Sequence, residues 1–221
     1  VGGSMTFGQG SLPNQTLPFQ LEGCLNAALW ERQVEVVNGG VCGYSIHDAW
    51  ARYLAKFAQD RPDVVVVLVC DNDAELYNHR EAVEEHVQRL SYLEFSELCY
   101  DPAGEHFPYF RLLLRDMAEH TAEGGPPVVV AFYDIHGGEH RDLLMPRVRD
   151  ACRAAGIGFA DLSQEFLDTA AATRNKHLKV SDADHHPSPL AHGIAARRLA
   201  RCLIEAGLLS RADGPLPSEE E

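Results

Sequence analysis

The stretch Val64-Val65-Val66-Val67-Leu68-Val69-Cys70, residues 64–70, decides the fold. It is an uninterrupted run of apolar, largely β-branched residues, which is typical of a strand buried on both faces of a parallel sheet. Runs of the same character occupy residues 34–37, 128–133 and, more weakly, 157–162. We therefore predict a central parallel sheet of about five strands, with one strand position lying just before Ser4.

The segments between these runs have the spacing of amphipathic helices. Apolar side chains recur every three or four residues over 46–57, and Ser45 with Asp48 resembles a capping pair at the start. The last helix is predicted to begin with Ser188 as its cap and Pro189 in its first turn. Other predicted helices cover residues 17–30, 81–98, 109–121 and 141–155. Strands that alternate with helices predict an α/β fold, a three-layer α/β/α sandwich.

Length and charge narrow the possible functions. A chain of 221 residues with 45% hydrophobic content fits one domain, predicted over residues 1–210, followed by a disordered acidic tail at 211–221. The net charge of -14 would repel phosphate backbones and anionic headgroups, so nucleic acid and membrane partners are not expected. No apolar run could span a bilayer. We expect a soluble protein, with the cytoplasm slightly favoured, and its oligomeric state is not indicated.

Four polar motifs lie at or near predicted strand ends. Ser4 follows the first strand position, Gly43 follows the run at 34–37, and Asn72 follows the run at 64–69. His186 lies in the loop before the last helix. Because ligands of open parallel sheets bind at the carboxyl ends of the strands, we expect these four segments to meet at one edge.

The residue types at that edge are suited to acyl transfer. A serine hydroxyl becomes nucleophilic when a histidine held by a carboxylate takes its proton, and Ser4, His186 and Asp184 could fill those roles. Negative charge that develops on the ester oxygen needs preorganised donors. The backbone NH groups of Ser4 and Gly43 and the side-chain amide of Asn72 are predicted to form this oxyanion hole.

In this order and spacing the motifs resemble the SGNH hydrolase family, also called GDSL esterases and lipases. The resemblance covers nearly the whole chain and rests on Gly-Gly-Ser-Met-Thr-Phe-Gly at 2–8, Asn-Gly-Gly-Val-Cys-Gly at 38–43, Asn-Asp at 72–73, and Asp-His-His-Pro at 184–187 with His192. It implies a flavodoxin-like fold and the same roles for Ser4, Gly43, Asn72 and His186. It also implies a small-molecule or carbohydrate ester as substrate, with no metal or other cofactor.

The chain departs from the family pattern at four places. Gly3 replaces the aspartate of Gly-Asp-Ser, which helps to fix the nucleophile turn, and Cys70 replaces a glycine. Ala183 stands where the family's Asp-x-x-His would need aspartate. Most of the first, central strand is also missing ahead of Ser4, so either preceding residues or another segment would fill its position.

Several alternatives stay open at this point. Asp182 could serve His185 instead of Asp184 serving His186, although Pro187 after His186 matches the family. Gly2 to Met5 could be a cloning linker, Asn72 could merely cap the next segment, and Asp71 and Asp73 could be solvated turn residues. His136 and His140 could bind a metal if they shared a helical face, but Gly137 and Gly138 between them indicate a loop.

Three functions are compatible with these motifs. The preferred one is a serine esterase that hydrolyses a short-acyl carboxylic ester through an acyl-enzyme. A non-catalytic binding module on the same scaffold, or an acyltransferase to a sugar or metabolite hydroxyl, are the alternatives. The insertion at 78–127 is predicted to supply a lid or substrate wall.

Overall fold

A computed structural model of the chain describes residues 1–71, 73–74, 91–134, 138–166, 168 and 178–209. Its helices are α1 Ser4–Phe7, α2 Leu17–Ala28, α3 Ile46–Lys56, α4 Tyr92–Cys99, α5 His106–Ala122, α6 Gly138–Ala155 and α7 Pro189–Glu205. Its strands are β1 Val65–Val69, β2 Val128–Phe132 and β3 Gly158–Asp161. Short 3-10 turns lie at Pro13–Gln15 and Ala58–Asp60. The tail predicted at 211–221 lies outside the described residues.

The three strands form one parallel sheet in the order β1-β2-β3. Val65 pairs with Val128 at one end of the first ladder, and Val129 pairs with Gly158 in the second. Helices α4 and α5 lie between β1 and β2 along the chain, and α6 lies between β2 and β3. The predicted parallel α/β class is confirmed, and the three central apolar runs form strands where the sequence predicts them.

Alternate strand residues pack into two separate cores, one on each side of the sheet. Leu68, Val129, Ala131 and Ala160 pack with α2 and α7. Val65, Val67, Val69, Val128, Val130 and Phe132 pack with α3, α4, α5 and α6. A strand points successive side chains to opposite faces, so a continuous apolar run supplies both cores at once. The result is the three-layer sandwich.

Three strands pair among the described residues, so the predicted count of about five strands is not confirmed. The run at 34–37 is not a strand, and two of its backbone NH groups bond to side chains of α2. Asn26 Oδ1 accepts from the backbone NH of Val34, and Glu22 Oε2 accepts from that of Val36, both at 2.7 Å. The sequence pattern reports burial and β-propensity, whereas a strand also needs a backbone partner.

The first two residues lie between β1 and residues 40–41. The backbone NH of Leu68 donates to the carbonyl of Val1 at 2.9 Å, and that of Val41 donates to the carbonyl of Gly2 at 3.1 Å. Next to Val1, a groove of about 460 Å³ separates β1 from residues 33–37. Ser4 therefore follows a two-residue segment that begins beside β1, at the edge of the three-stranded sheet.

The helix signals read from the sequence are confirmed at the starts of two helices. Ser45 Oγ accepts from the backbone NH of Asp48, and Asp48 Oδ2 accepts from that of Ser45, which completes a capping box. Ser188 Oγ caps α7 by accepting from the backbone NH of Ala191 at 3.3 Å. Helix α5 begins three residues before its predicted start, because Pro108 is tolerated in a first helical turn.

The segment predicted as a lid or wall is described from residue 91 onward. There it forms α4 and α5, and the apolar face of α5 is buried in the core. Residues 75–90 lie outside the described part, so a covering role for this segment stays a prediction. None of the described helices has both the length and the hydropathy that a bilayer crossing requires.

Candidate active site

Ser4 is the first residue of α1, in a sharp turn that follows Val1 and Gly2. The backbone NH of Phe7 donates to the carbonyl of Gly3, and that of Gly8 donates to the carbonyl of Ser4, which closes the short helix. Gly40 packs directly against this helix, since a Cβ at that position would lie 2.2 Å from the backbone nitrogen of Phe7. The motif at 38–43 therefore supports the nucleophile turn by close backbone contact.

His186 is carried by a loop with two antiparallel arms. The backbone NH of Val180 donates to the carbonyl of His186 at 2.8 Å, and that of Ser188 donates to the carbonyl of Leu178 at 2.9 Å. At the tip, Ser181 Oγ accepts from the backbone NH of Asp184 at 2.9 Å. These bonds hold Asp184 and His186 in one compact unit ahead of α7.

The structure brings Ser4, His186 and Asp184 together in one hydrogen-bonded series. Ser4 Oγ lies 2.9 Å from His186 Nε2, although the two residues are 182 positions apart. His186 Nδ1 lies 2.6 Å from Asp184 Oδ1, which also accepts from the backbone NH of His186 at 3.0 Å. With Nδ1 donating to the carboxylate, Nε2 is left as the acceptor for the serine proton.

Asp184 is suited to hold its negative charge in this position. The backbone NH of His186 lowers the pKa of the Asp184 carboxyl most, and the hydrogen bond from the His186 ring adds to this effect. The side chains of His186 and Asp184 are 26% and 34% exposed, so water reaches both of them. Both side chains are thus partly exposed at the sheet edge.

The other pair, Asp182 with His185, lies at the same loop tip, where both residues are exposed. It is the ring of His186 that lies 2.9 Å from Ser4 Oγ. This contact favours Asp184 with His186 over the alternative pair that spacing in the sequence leaves open.

Of the three predicted oxyanion donors, the structure describes Ser4 and Gly43. Asn72 lies outside the described residues. Gly43 is exposed with φ of 79°, the left-handed region that glycine readily adopts, in the turn before α3. Among the hydrogen bonds of the described residues, none is donated by the backbone NH of Ser4 or of Gly43. Both groups are available to a ligand.

Two aspartates beside Asn72 are more buried than the sequence suggests. Asp71 is 1% exposed and Asp73 is 6% exposed, so they are not solvated turn residues. Asp73 Oδ2 accepts from the backbone NH of Cys70 at 2.7 Å. The sequence does not predict that these aspartates are buried, because aspartates after a strand are usually solvated. No spacing of residues distinguishes a buried aspartate from a solvated one at such a position.

Metal binding finds no support in the described part of the chain. No group of three or more histidine, cysteine, aspartate or glutamate side chains there could hold a metal ion. The hypothetical pair of His136 and His140 cannot be assessed, because His136 and the side chain of His140 lie outside the described residues.

His192, which the resemblance includes among the motif residues, is a core residue. It is fully buried in α7, and neither ring nitrogen has a hydrogen-bond partner among the described residues. Burial lowers its pKa from 6.5 to about 4, and the nearby His186 adds a smaller effect. The folded protein therefore keeps this ring neutral at pH values where an unfolded chain would protonate it.

We expect His192 to make the fold sensitive to acid. Between about pH 6.5 and pH 4 the unfolded chain binds a proton that the folded chain refuses, so stability is lost as pH falls through this window, on the order of 3 kcal/mol. His192→Leu should flatten the dependence of Tm on pH in that range, as measured by calorimetry. His185→Leu, at an exposed position, serves as control. An unchanged acid dependence in the His192 variant would contradict the assignment.

A serine, an imidazole and a carboxylate linked in this order at the carboxyl edge of a parallel sheet form the arrangement of serine hydrolases. The GDSL-like lipase/acylhydrolase family model matches residues 1–194, and the chain belongs to this family of carboxylic ester hydrolases. The resemblance stated from the motifs is thereby confirmed. No curated protein matches the chain.

Solved structures with the same fold include three esterases or hydrolases of low sequence identity. The acetylxylan esterase Axe2 from Geobacillus stearothermophilus is 20% identical, with a TM-score of 0.60 over 91% of each chain. LAE5, an α/β hydrolase from the metagenome of Lake Arreo, Spain, is 20% identical, with a TM-score of 0.63 over 92% of this chain and 94% of that one. A two-domain esterase active on acetylated mannans is 18% identical, with a TM-score of 0.61 over 98% of this chain and 51% of that one.

Replacement of Asp184 by asparagine should lower kcat by about 10- to 100-fold with little change in KM. The amide keeps the shape but no longer holds the imidazole tautomer or stabilises the imidazolium, while solvent offsets part of the loss at this exposed site. Steady-state hydrolysis of an activated acetate ester measures the effect. The exposed Asp182→Asn should retain wild-type kcat, and equal losses in the two variants would contradict the role of Asp184.

Proposed function

We propose that the protein is a serine esterase that hydrolyses a short-acyl carboxylic ester through an acyl-enzyme intermediate. The observation that carries this proposal is the series Ser4 Oγ to His186 Nε2 at 2.9 Å and His186 Nδ1 to Asp184 Oδ1 at 2.6 Å. Ser4 is the nucleophile, His186 the general base, and Asp184 the group that orients the imidazole.

The reaction follows from the positions of these groups. His186 Nε2 takes the proton of Ser4 as Oγ attacks the acyl carbon, and the imidazolium then gives that proton to the departing alkoxide. In the second half, His186 takes a proton from water as the water attacks the acyl carbon, and the imidazolium returns that proton to Ser4 Oγ as the acid is released. Asp184 keeps Nδ1 protonated throughout and stabilises the imidazolium that forms in each half.

The oxyanion of the tetrahedral intermediate needs donors that are already in place. The unengaged backbone NH groups of Ser4 and Gly43 support their assignment to this role. Asn72 completes the set by its position in the motif, and its side-chain amide donates a hydrogen bond without titrating. Each such donor is worth about 3 kcal/mol of transition-state stabilisation in related chemistry.

An acetylated carbohydrate or another small, neutral ester is the substrate class we favour. Structures of the same fold include an acetylxylan esterase and an esterase active on acetylated mannans. The net charge of -14 disfavours anionic esters at long range. A partly exposed site can accept an ester in which a small acyl group is linked to a larger alcohol.

Hydrolysis is favoured over acyl transfer by the exposure of the site. Transfer to a hydroxyl requires that water be kept from the acyl-enzyme, whereas the side chains of His186 and Asp184 are 26% and 34% exposed. Product analysis with xylose and glycerol as acceptors distinguishes the two reactions. Acylated acceptor as the major product would contradict the hydrolase.

A fluorophosphonate probe tests the proposal directly. The folded protein should be labelled at one site, and mass spectrometry of the peptides should place the label on Ser4. Turnover should then be compared for acetylated xylo-oligosaccharides and for p-nitrophenyl esters from two to eight carbons, with the shortest acyl groups preferred. A folded protein that is neither labelled nor active would instead be a binding module.

A further inference from the structure

Gly10 packs directly against the loop that carries His186. Its φ is 79°, in the left-handed region that glycine readily adopts. A Cβ at this position would lie 2.8 and 3.1 Å from the two methyl carbons of Val180, and 3.3 Å from Asp184 Oδ2. The segment that follows the nucleophile and the loop that carries the base therefore meet with no room for a side chain between them.

The methyl groups of Val180 cannot turn out of the way. Two of the three staggered positions about χ1 of a valine hold methyl groups. A Cβ at position 10 would face two of these positions, so every rotamer leaves at least one methyl group in its path. Carbon atoms in contact lie about 3.5–4.0 Å apart, so a side chain at position 10 would push the two backbones apart by roughly 1 Å.

Gly10 belongs to a short segment that is fixed to Ser4. The backbone NH groups of Gly8 and Gln9 both donate to the carbonyl of Ser4, at 2.9 and 3.1 Å. On the other side, Gly8 lies against the residue before α2, since a Cβ there would be 2.3 Å from the methyl carbon of Thr16. The segment is thus held between Ser4 and α2, and the displacement caused by a side chain at position 10 would fall on the loop.

The atoms that Gly10 contacts belong to the two residues that support His186. The backbone NH of Val180 donates to the carbonyl of His186 at 2.8 Å, so a displacement of Val180 reaches the histidine through one hydrogen bond. Asp184 Oδ2 belongs to the same carboxylate as Oδ1, which lies 2.6 Å from His186 Nδ1. A side chain at position 10 would therefore press on both supports of the imidazole.

We infer that Gly10 is a positioning residue for the base. Its missing side chain lets the loop at 178–188 lie close to the segment after Ser4. This close packing holds His186 Nε2 at 2.9 Å from Ser4 Oγ. Gly10 acts through its contacts with the loop and not on the substrate. The inference rests on the proposed roles of Ser4 and His186.

Gly10→Ala is the first test. A misplacement of about 1 Å costs up to about 100-fold in rate, so we expect kcat and the rate of fluorophosphonate labelling of Ser4 to fall about 10- to 100-fold. KM should change by less than about threefold, because separation of the base from the serine affects the transition state and not the binding of the ester.

Gly156→Ala is the matched control. Gly156 has a similar φ, 74°, but a Cβ there would lie in open space. The variant should lower Tm through the same backbone strain, while Ser4 is labelled at the wild-type rate. Labelling of a folded Gly10→Ala at the wild-type rate, or equal losses of labelling in the two variants, would overturn the inference.

A double-mutant cycle with Val180→Ala tests whether the effect passes through this contact. Val180→Ala removes both methyl groups that oppose a Cβ at position 10. The double variant should be labelled at least about fivefold faster than Gly10→Ala alone, since the new methyl group enters the space that valine leaves. If Gly10→Ala does not fold, the double variant should fold and be labelled. Failure of Val180→Ala to restore either folding or labelling would overturn the inference, whereas a wild-type protein without labelling would refute the proposed function.

Discussion

Replacement of Ser4 by alanine is expected to lower kcat for an activated acetate ester by at least about 1,000-fold while the fold is retained. Among the described residues, the side-chain hydrogen bond of this hydroxyl is the 2.9 Å approach to His186 Nε2, so we expect its removal to leave the packing of α1 unchanged. Without Oγ no acyl-enzyme can form, and the remaining turnover is that of water near an imidazole.

The measurement combines hydrolysis of p-nitrophenyl acetate with circular dichroism and Tm. Ser11→Ala is a suitable control, because this serine follows the same helix and its hydroxyl has no hydrogen-bond partner in the described part of the chain. Ser11→Ala should retain wild-type turnover. Activity of Ser4→Ala within about threefold of wild type, in a folded protein, would end the esterase proposal.

Replacement of His186 by alanine should cost nearly as much, about 1,000- to 10,000-fold in kcat, since the nucleophile and its base act as a unit. Fluorophosphonate labelling of Ser4 should slow by a similar factor, which places the loss in the attack of the serine. The double variant with Ser4→Ala should be no worse than either single one.

The adjacent histidine offers a closely matched comparison. His185 is exposed on the same loop, and it is the ring of His186 that lies against Ser4 Oγ, so His185→Ala should stay within about threefold of wild-type kcat. The reverse order of effects, with His185→Ala inactive and His186→Ala active, would mean that the loop turns its other ring toward the serine in solution. Asp182 would then replace Asp184 as the partner.

Much of the fold could be predicted from the sequence, because strands buried on both faces leave a strong signal. The run at 64–70 and the run at 128–133 form β1 and β2 almost to the residue. The approach of Ser4 to His186 could also be anticipated, since the carboxyl ends of parallel strands share one edge. The strand predicted at 34–37 does not form, because backbone NH groups of this run bond to side chains of α2 and not to another strand. The apolar pattern does not report which groups the backbone bonds to.

The site could be predicted in its composition but not in its details. The choice of Asp184 over Asp182 depends on how the loop tip is folded around the Ser181 hydroxyl, which residue spacing does not report. The burial of Asp73, which is 6% exposed, depends on contacts with segments remote in the sequence, and periodicity and local motifs do not report such contacts.

The base and its carboxylate are both carried by the loop at 178–188, whose two arms are joined by the bonds of Val180 and Ser188. Any displacement of this loop therefore removes His186 and Asp184 from Ser4 in a single movement. A substitution in the arms should lower the fraction of molecules in which His186 lies next to Ser4. This loss should appear as a smaller pre-steady-state burst. The molecules that keep the loop in place should be acylated at the normal rate. We therefore expect such substitutions to lower activity by reducing the fraction of molecules with the loop in place, and not by making His186 a weaker base.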